Sequence, residues 1–269
     1  MKDLTEREII RMITNQFAGE RRVPLGFSDD VSAIPLSSKT WIIVKTDMLV
    51  GSTDVPPGMT IQEAARKAVV ATISDFAAKG VKPQALMVSI GLPAPVKKTT
   101  AQDIARGLGQ AAREYDCKII GGDTNQADDL VIDIVGVGLA KPKELVRRDG
   151  ARPGDVVAVT GSFGKPSAGL RILMSKQKTD FAKYPSLVRA ARLPEARLSS
   201  KRLQEVAHYR NPLEESAARD RNIRRNAPFP LSVLRGVLNH HRQLKLVLGS
   251  AARSDPMMQS VRNDAKHSK

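Results

Sequence analysis

A single cysteine in 269 residues excludes an internal disulfide. Cys117 stands in the apolar run CKII, where a buried, inert thiol is the expected reading rather than a nucleophile or a ligand. No apolar run approaches the roughly twenty residues a membrane helix needs. MKDLTEREII carries no cleavable signal pattern, so a soluble, intracellular, cytoplasmic protein is expected, with no membrane partner. A phosphate loop is missing too. In GSFGKPS (161–167) the position six before Lys165 is Val159 and the residue after it is Pro166, which leaves an ordinary strand-to-helix turn. There is no repeat at a fixed period. Histidine is absent from the first 198 residues; His208, His240, His241 and His267 all come later.

The net charge of +15 is unevenly spread. Lys and Arg number 20 against 19 Asp and Glu in residues 1–150, 9 against 3 in 151–198, and 14 against 6 in 199–269. Excess positive charge ordinarily suggests nucleic acid. Here it belongs to the last part of the chain, away from the motifs, so no specific nucleic-acid partner is expected.

Five carboxylates closing short apolar runs carry most of the information: Asp29 and Asp30 in GFSDD, Asp47 in WIIVKTD, Asp75 in TISDFAAKG and Asp123 in IIGGDTN. Brought together at a sheet's rim, they make an oxygen-rich, self-repelling pocket that calls for divalent cations. Mg²⁺ prefers such hard oxygens and shares them with water and phosphate. Each residue has a plainer reading. Asp29 and Asp30 fit a turn before VSAIPL, Asp47 a cap, and Asp123 after two glycines a turn. Asp75 is harder to dismiss, because it lies in a helix interior on one face with Ala68, Ala71, Thr72 and Ala78, where an unpaired carboxylate is costly.

Residues 2–18 read as an amphipathic helix with Leu4, Ile9, Ile10, Ile13 and Phe17 on one side, and TWIIVKTD (40–47) as a buried strand. Thr60 and Glu63 form a capping box for a long helix that Gly80 closes. A strand at 84–93, a helix from about Thr100 to Tyr115, a short strand CKII (117–120) and a strand at 130–138 complete an α+β unit. A second unit opens at GARPGDVVAVTGSFG (150–164), a strand feeding the helix SAGLRILM. Beyond Leu198 the pattern deteriorates, apart from one basic amphipathic stretch at 230–249. The expected division is 1–145, 146–198 and a divergent basic tail, 199–269. A shifted reading frame and a genuinely divergent tail both account for that last segment.

The ordered set GFSDDVSAI, KTDMLVGSTD, SDFAAKGVKP, SIGLP, IIGGDTN and RRDGARPGDVVAVTG resembles the thiamine-monophosphate kinases, in the superfamily typified by aminoimidazole ribonucleotide synthetase. The match covers about residues 20–198, and Gly51 to Asp54 looks like the archaeal branch. The resemblance implies an α+β fold with an aminoimidazole ribonucleotide synthetase-like N-terminal domain, paired with its twin into a homodimeric β-barrel, followed by an incomplete α+β C-terminal domain. It implies ATP-dependent phosphorylation of thiamine monophosphate to thiamine diphosphate with Mg²⁺. Carried over by residue, Asp30, Thr46, Asp47, Asp75 and Asp123 are metal ligands, with Asp47, Asp75 and Asp123 the catalytic group. Tyr115, Gly122, Asp123 and Arg148 line the ATP site, and Asp54 faces the substrate. Lys45 stands where many members have Ser or Thr, and nothing in 199–269 matches the family's Ser-Asp-Gly motif, so impaired turnover is expected. The rivals are another ATP-dependent enzyme of the superfamily and an inactive nucleotide-binding remnant with a basic tail.

Overall fold

The structure is a computed structural model that describes residues 3–17, 23–25, 29–149, 151, 163–175 and 179–198. The tail 199–269 and most of the expected strand at 150–164 lie outside the described residues.

The first helix, α1 (Glu6–Gln16), starts at a capping box in which the Thr5 side chain accepts from Glu8 N–H and the Glu8 carboxylate accepts from Thr5 N–H. Within this chain its apolar side, with Leu4, Ile9, Ile10, Ile13 and Phe17, is exposed. Next come β1 (Ser32–Pro35), β2 (Trp41–Val50), a single turn α2 (Gly51–Asp54) and α3 (Ile61–Ala78). The expected Thr60–Glu63 box opens α3, and Gly80, at φ 69°, closes it in the left-handed region. Then follow β3 (Pro83–Leu92), α4 (Lys98–Glu114), β4 (Lys118–Gln126) and β5 (Val131–Ala140). Last are α5 (Lys165–Met174), α6 (Thr179–Lys183) and α7 (Pro185–Arg192).

The five strands form one sheet in the order β1-β2-β5-β3-β4, antiparallel except for the parallel β3–β4 pair. Successive side chains point to opposite faces. Leu49, Leu86, Val88, Ile132 and Ile134 face α3 and α4 and are buried with Val69, Ile73, Ile104 and Leu108. A second cluster joins Leu25, Val31, Ile43, Phe76, Val81 and Leu145. The opposite face carries Ile34, Met48, Met87 and Leu139, all exposed. The expectation of a buried strand at 40–47 therefore holds on one face only, because both alternating sets of β2 carry apolar residues and, among the described residues, helices cover just one.

Strand β4 is longer than the expected 117–120. It runs on to Gln126, so Gly121, Gly122 and Asp123 lie within a strand and not in a turn. Parallel pairing with β3 supplies the backbone partners, and at Gly122 any Cβ would meet the Val88 carbonyl oxygen at 1.9 Å, so only glycine fits this approach. Cys117 is buried, its thiol donating to the Pro83 carbonyl at 3.2 Å, as expected for an inert cysteine.

The segment after α7 is tied to α3 and α4. Buried Arg66 pairs with Glu114 at 2.6 Å and donates to the Pro194 carbonyl at 2.8 Å. Arg192 pairs with Glu63 at 2.8 Å, and Ala196 N–H donates to the Tyr115 hydroxyl at 2.8 Å. Among the described residues no helix is long and apolar enough to cross a membrane.

Candidate functional site

Alternation along β2 divides its polar residues between two environments. Lys45 and Asp47 point toward α3, whereas Thr46 points to the open face. Asp75, in the last turn of α3, meets Lys45 across this gap, with Nζ to Oδ2 at 2.7 Å. Asp47 lies beside them. Burial pushes its carboxyl up to about 6, and Asp75, Asp133 and Asp54 add to the rise while Lys45 opposes it. Burial works against the Lys45 ammonium, but Asp75, then Asp47 and Asp30, outweigh it and hold the group above the ordinary lysine range.

Asp29 and Asp30 occupy the turn before β1. Lys79, at the C-terminal end of α3 and almost wholly buried, pairs with Asp29 and, at 2.7 Å, with Asp30. The Arg148 guanidinium also grips Asp30, and the Arg148 backbone N–H donates to Asp29 at 3.1 Å. Burial raises the Asp29 carboxyl, yet its bonds from Lys79 and the Arg148 amide hold it below the ordinary range. The acids of GFSDD are thus fixed from two directions, by the end of α3 and by the segment after β5.

A small cavity of about 120 Å³ lies next to the cluster, lined by Asp47, Met48, Leu49, Asp54, Lys67, Ala68 and Ala71. Lys67 donates to the Asp54 carbonyl at 2.6 Å, and the Asp54 carboxylate accepts from Val50 N–H at 2.9 Å. Burial lowers the Lys67 ammonium below its ordinary range, with Asp54 opposing. Ala68 and Ala71 are small enough to leave this space open beside the helix.

Residues 30, 47, 54 and 75 are therefore gathered on the helix side of the sheet. Asp123 is not among them. It pairs in register with Ser89, which in turn faces Asp133 on β5, and this row lies on the open face with Thr46. Thr46 donates to Asp133 at 2.7 Å. Gly122 sits against β3, and the Tyr115 hydroxyl is occupied by the Ala196 amide. Asp47 and Asp123 stand within strands and not at strand ends, which corrects the expectation of a rim built from strand termini. Among the described residues, no three carboxylate, histidine or cysteine groups converge as they stand on a point that could hold a metal ion. The chemistry of the donors, carboxylate oxygens on the helix side of the sheet, nevertheless fits a divalent cation such as Mg²⁺.

Sequence reasoning assigned no role to Lys67, Lys79 or Asp133. Asp133 had one available signal, an acid inside the apolar run LVIDIVGVG. The two lysines gave none, because their partners lie far away in the chain.

Residues 28–140 match the family described as AIR synthase related protein, N-terminal domain. The thiamine-monophosphate kinase of Nitrosopumilus maritimus is 39% identical over 198 residues, which is 74% of this chain and 61% of that protein. Its counterpart from Pyrococcus abyssi is 41% identical over 175 residues, 65% of this chain and 54% of that protein. A solved structure, AaThiL complexed with AMPPCP and TMP, is 26% identical, with a TM-score of 0.65 over 77% of this chain and 64% of that one. The chain spans 54% to 61% of the length of these two curated relatives.

Proposed function

We propose that this chain, whose residues 28–140 match the AIR synthase related family, takes part in ATP-dependent phosphorylation of thiamine monophosphate, giving thiamine diphosphate. The observation that supports the reading is the placing of Asp30, Asp47 and Asp75 on the helix side of the sheet, Asp75 on Lys45 and Asp30 on Lys79, beside a cavity lined by Asp47 and Asp54. The names of the similar kinases, and the nucleotide analogue and TMP held by AaThiL, support it.

In this reading Asp30, Asp47 and Asp75 would hold Mg²⁺ on the helix side of the sheet, and Thr46 and Asp123 would hold it on the open side. Mg²⁺ supplies charge neutralisation at the transferring phosphoryl group. The acceptor is already a phosphate anion, so no strong general base is required. What remains for the chain is to place two phosphates in line and close together. Lys79 and Arg148 fix the Asp30 turn, and Lys67 fixes α2 so that Asp54 faces the acceptor. Tyr115, Gly122 and Arg148 line the ATP site. Residues 1–145 form the nucleotide-binding and dimerisation unit, and residues 146–198 begin the second.

The exposed apolar residues on the open face, Ile34, Met48, Met87 and Leu139, support pairing of two copies through their sheets. The test of the activity is a coupled assay for thiamine diphosphate on the full-length protein with ATP, thiamine monophosphate and Mg²⁺. Turnover that depends on Mg²⁺ and is lost in Asp75→Asn is the expected result. Equal turnover in wild type and Asp75→Asn would overturn the reading.

A further inference from the structure

Lys45 is the charged residue of the cluster to which the proposed reaction gives no task. Its side chain is 23% exposed and that of Asp75 13% exposed, so the 2.7 Å pair sits largely out of water. Asp47 stands two residues further along β2 on the same face as Lys45. Two carboxylates of the proposed set thus adjoin one positive charge that the chain itself supplies, while Asp30 is held by Lys79 and Arg148. An ammonium is a compact point charge with three donors, so it can satisfy several carboxylate oxygens at once. It cannot be removed by a chelator.

We propose that Lys45 is a resident cation of this cluster, holding the place of one divalent ion and setting how many such ions the carboxylates take. The proposal rests on the reading of Asp30, Asp47 and Asp75 as metal ligands. With Lys45 on Asp75, the Asp47 and Asp75 pair carries one less uncompensated charge, and Asp75 is engaged before any ion arrives. The cluster then keeps its arrangement without metal, and its affinity for a further cation is reduced. Lys45 acts as a positioning residue: it fixes the Asp75 carboxylate on α3 against β2 and does not act on the transferring phosphoryl group.

The experiment counts Mn²⁺ bound by the full-length protein, from the electron paramagnetic resonance signal of free Mn²⁺, in wild type, Lys45→Met, Lys45→Arg and Asp47→Asn. Lys45→Met should bind one additional Mn²⁺ per chain, or the same number at least tenfold more tightly, while Lys45→Arg behaves as wild type. Thermal melting gives the second readout. Lys45→Met should melt earlier in EDTA and recover with Mn²⁺, whereas the wild-type transition moves little. Should Lys45→Met not fold in either condition, Lys45→Gln carries the same comparison. If Asp47→Asn weakens Mn²⁺ binding but removing the Lys45 charge does not strengthen it, the resident-cation proposal falls and the metal-cluster reading stands. If no variant binds Mn²⁺, or Asp47→Asn binds it as wild type does, both fall together.

Discussion

On the helix side of the sheet, Lys45 and Lys79 neutralise Asp75, Asp29 and Asp30 from within the chain, whereas on the open side Asp133 accepts from a threonine hydroxyl and Asp123 lies on an exposed edge strand. One strand, β2, serves both environments by alternation. The contrast teaches that this chain spends buried lysines where its acids are crowded and dry, and leaves acids in water where they are not. A buried carboxylate without a partner is costly, and removing one member of a buried pair leaves an uncompensated charge. A carboxylate in water has no such need.

The largest effect expected from this contrast is on turnover. Asp75→Asn should lower Mg²⁺-dependent thiamine diphosphate formation by about 10³-fold, the scale of a lost electrostatic contribution to a transition state, while far-UV circular dichroism stays unchanged. Asp133→Asn on the open side should cost far less, and equal losses in the two variants would break the comparison.

Stability is next. Lys79→Met leaves Asp29 and Asp30 without their buried ammonium and should destabilise the fold by about 3–5 kcal/mol, read from urea unfolding. A loss under about 1 kcal/mol would show that Arg148 suffices to hold the turn.

The open face is probed by charge. Met48→Glu combined with Met87→Glu should shift a homodimer to monomer in light scattering at micromolar concentration, because like charges would meet across a paired apolar surface. A wild-type protein that is already monomeric would remove the reason for that surface.

A smaller effect concerns pH. The folded-state value of Asp47, about 6, lies above the ordinary 3.8, so the fold favours the protonated carboxyl. Its contribution to stability is complete below about pH 4 and lost as pH rises through 6. Asp47→Asn should therefore raise the melting temperature in EDTA at pH 7.5, by on the order of 1–3 kcal/mol of stability, with the gain vanishing near pH 4. Divalent ion binding by wild type should weaken as pH falls through the same range, since proton and metal compete for the group. The smallest effect is Thr46→Val, which loses one exposed hydrogen bond and should cost about 0.5 kcal/mol in the same urea measurement.

How far the sequence spoke depends on the range of the interaction. The box at Thr60 and Glu63, the stop at Gly80 and the strand at Trp41–Val50 are written in neighbouring residues, and each was legible. The run of β4 through Gly121, Gly122 and Asp123 was not, because its cause is a β3 backbone more than thirty residues away, close enough to exclude a Cβ. The ammonium of Lys79 reaches Asp29 across about fifty residues, and Thr46 reaches Asp133 over eighty-seven. Local pattern showed which acids to watch, but the pairing that divides them between two faces belongs to the fold.

Glu63 has a double engagement with a consequence in time. Its Oε2 closes the first turn of α3 by accepting from Thr60 N–H, and the same oxygen holds Arg192 at the end of α7. Fraying of that turn and release of the strap at 192–196 are therefore coupled through one acceptor, since each withdraws a partner from the shared oxygen. The strap also carries the Pro194 carbonyl bound to Arg66 and the Ala196 amide bound to Tyr115. Exchange of amide hydrogens with solvent deuterium at the start of α3 and at Ala196 should rise together in Glu63→Gln.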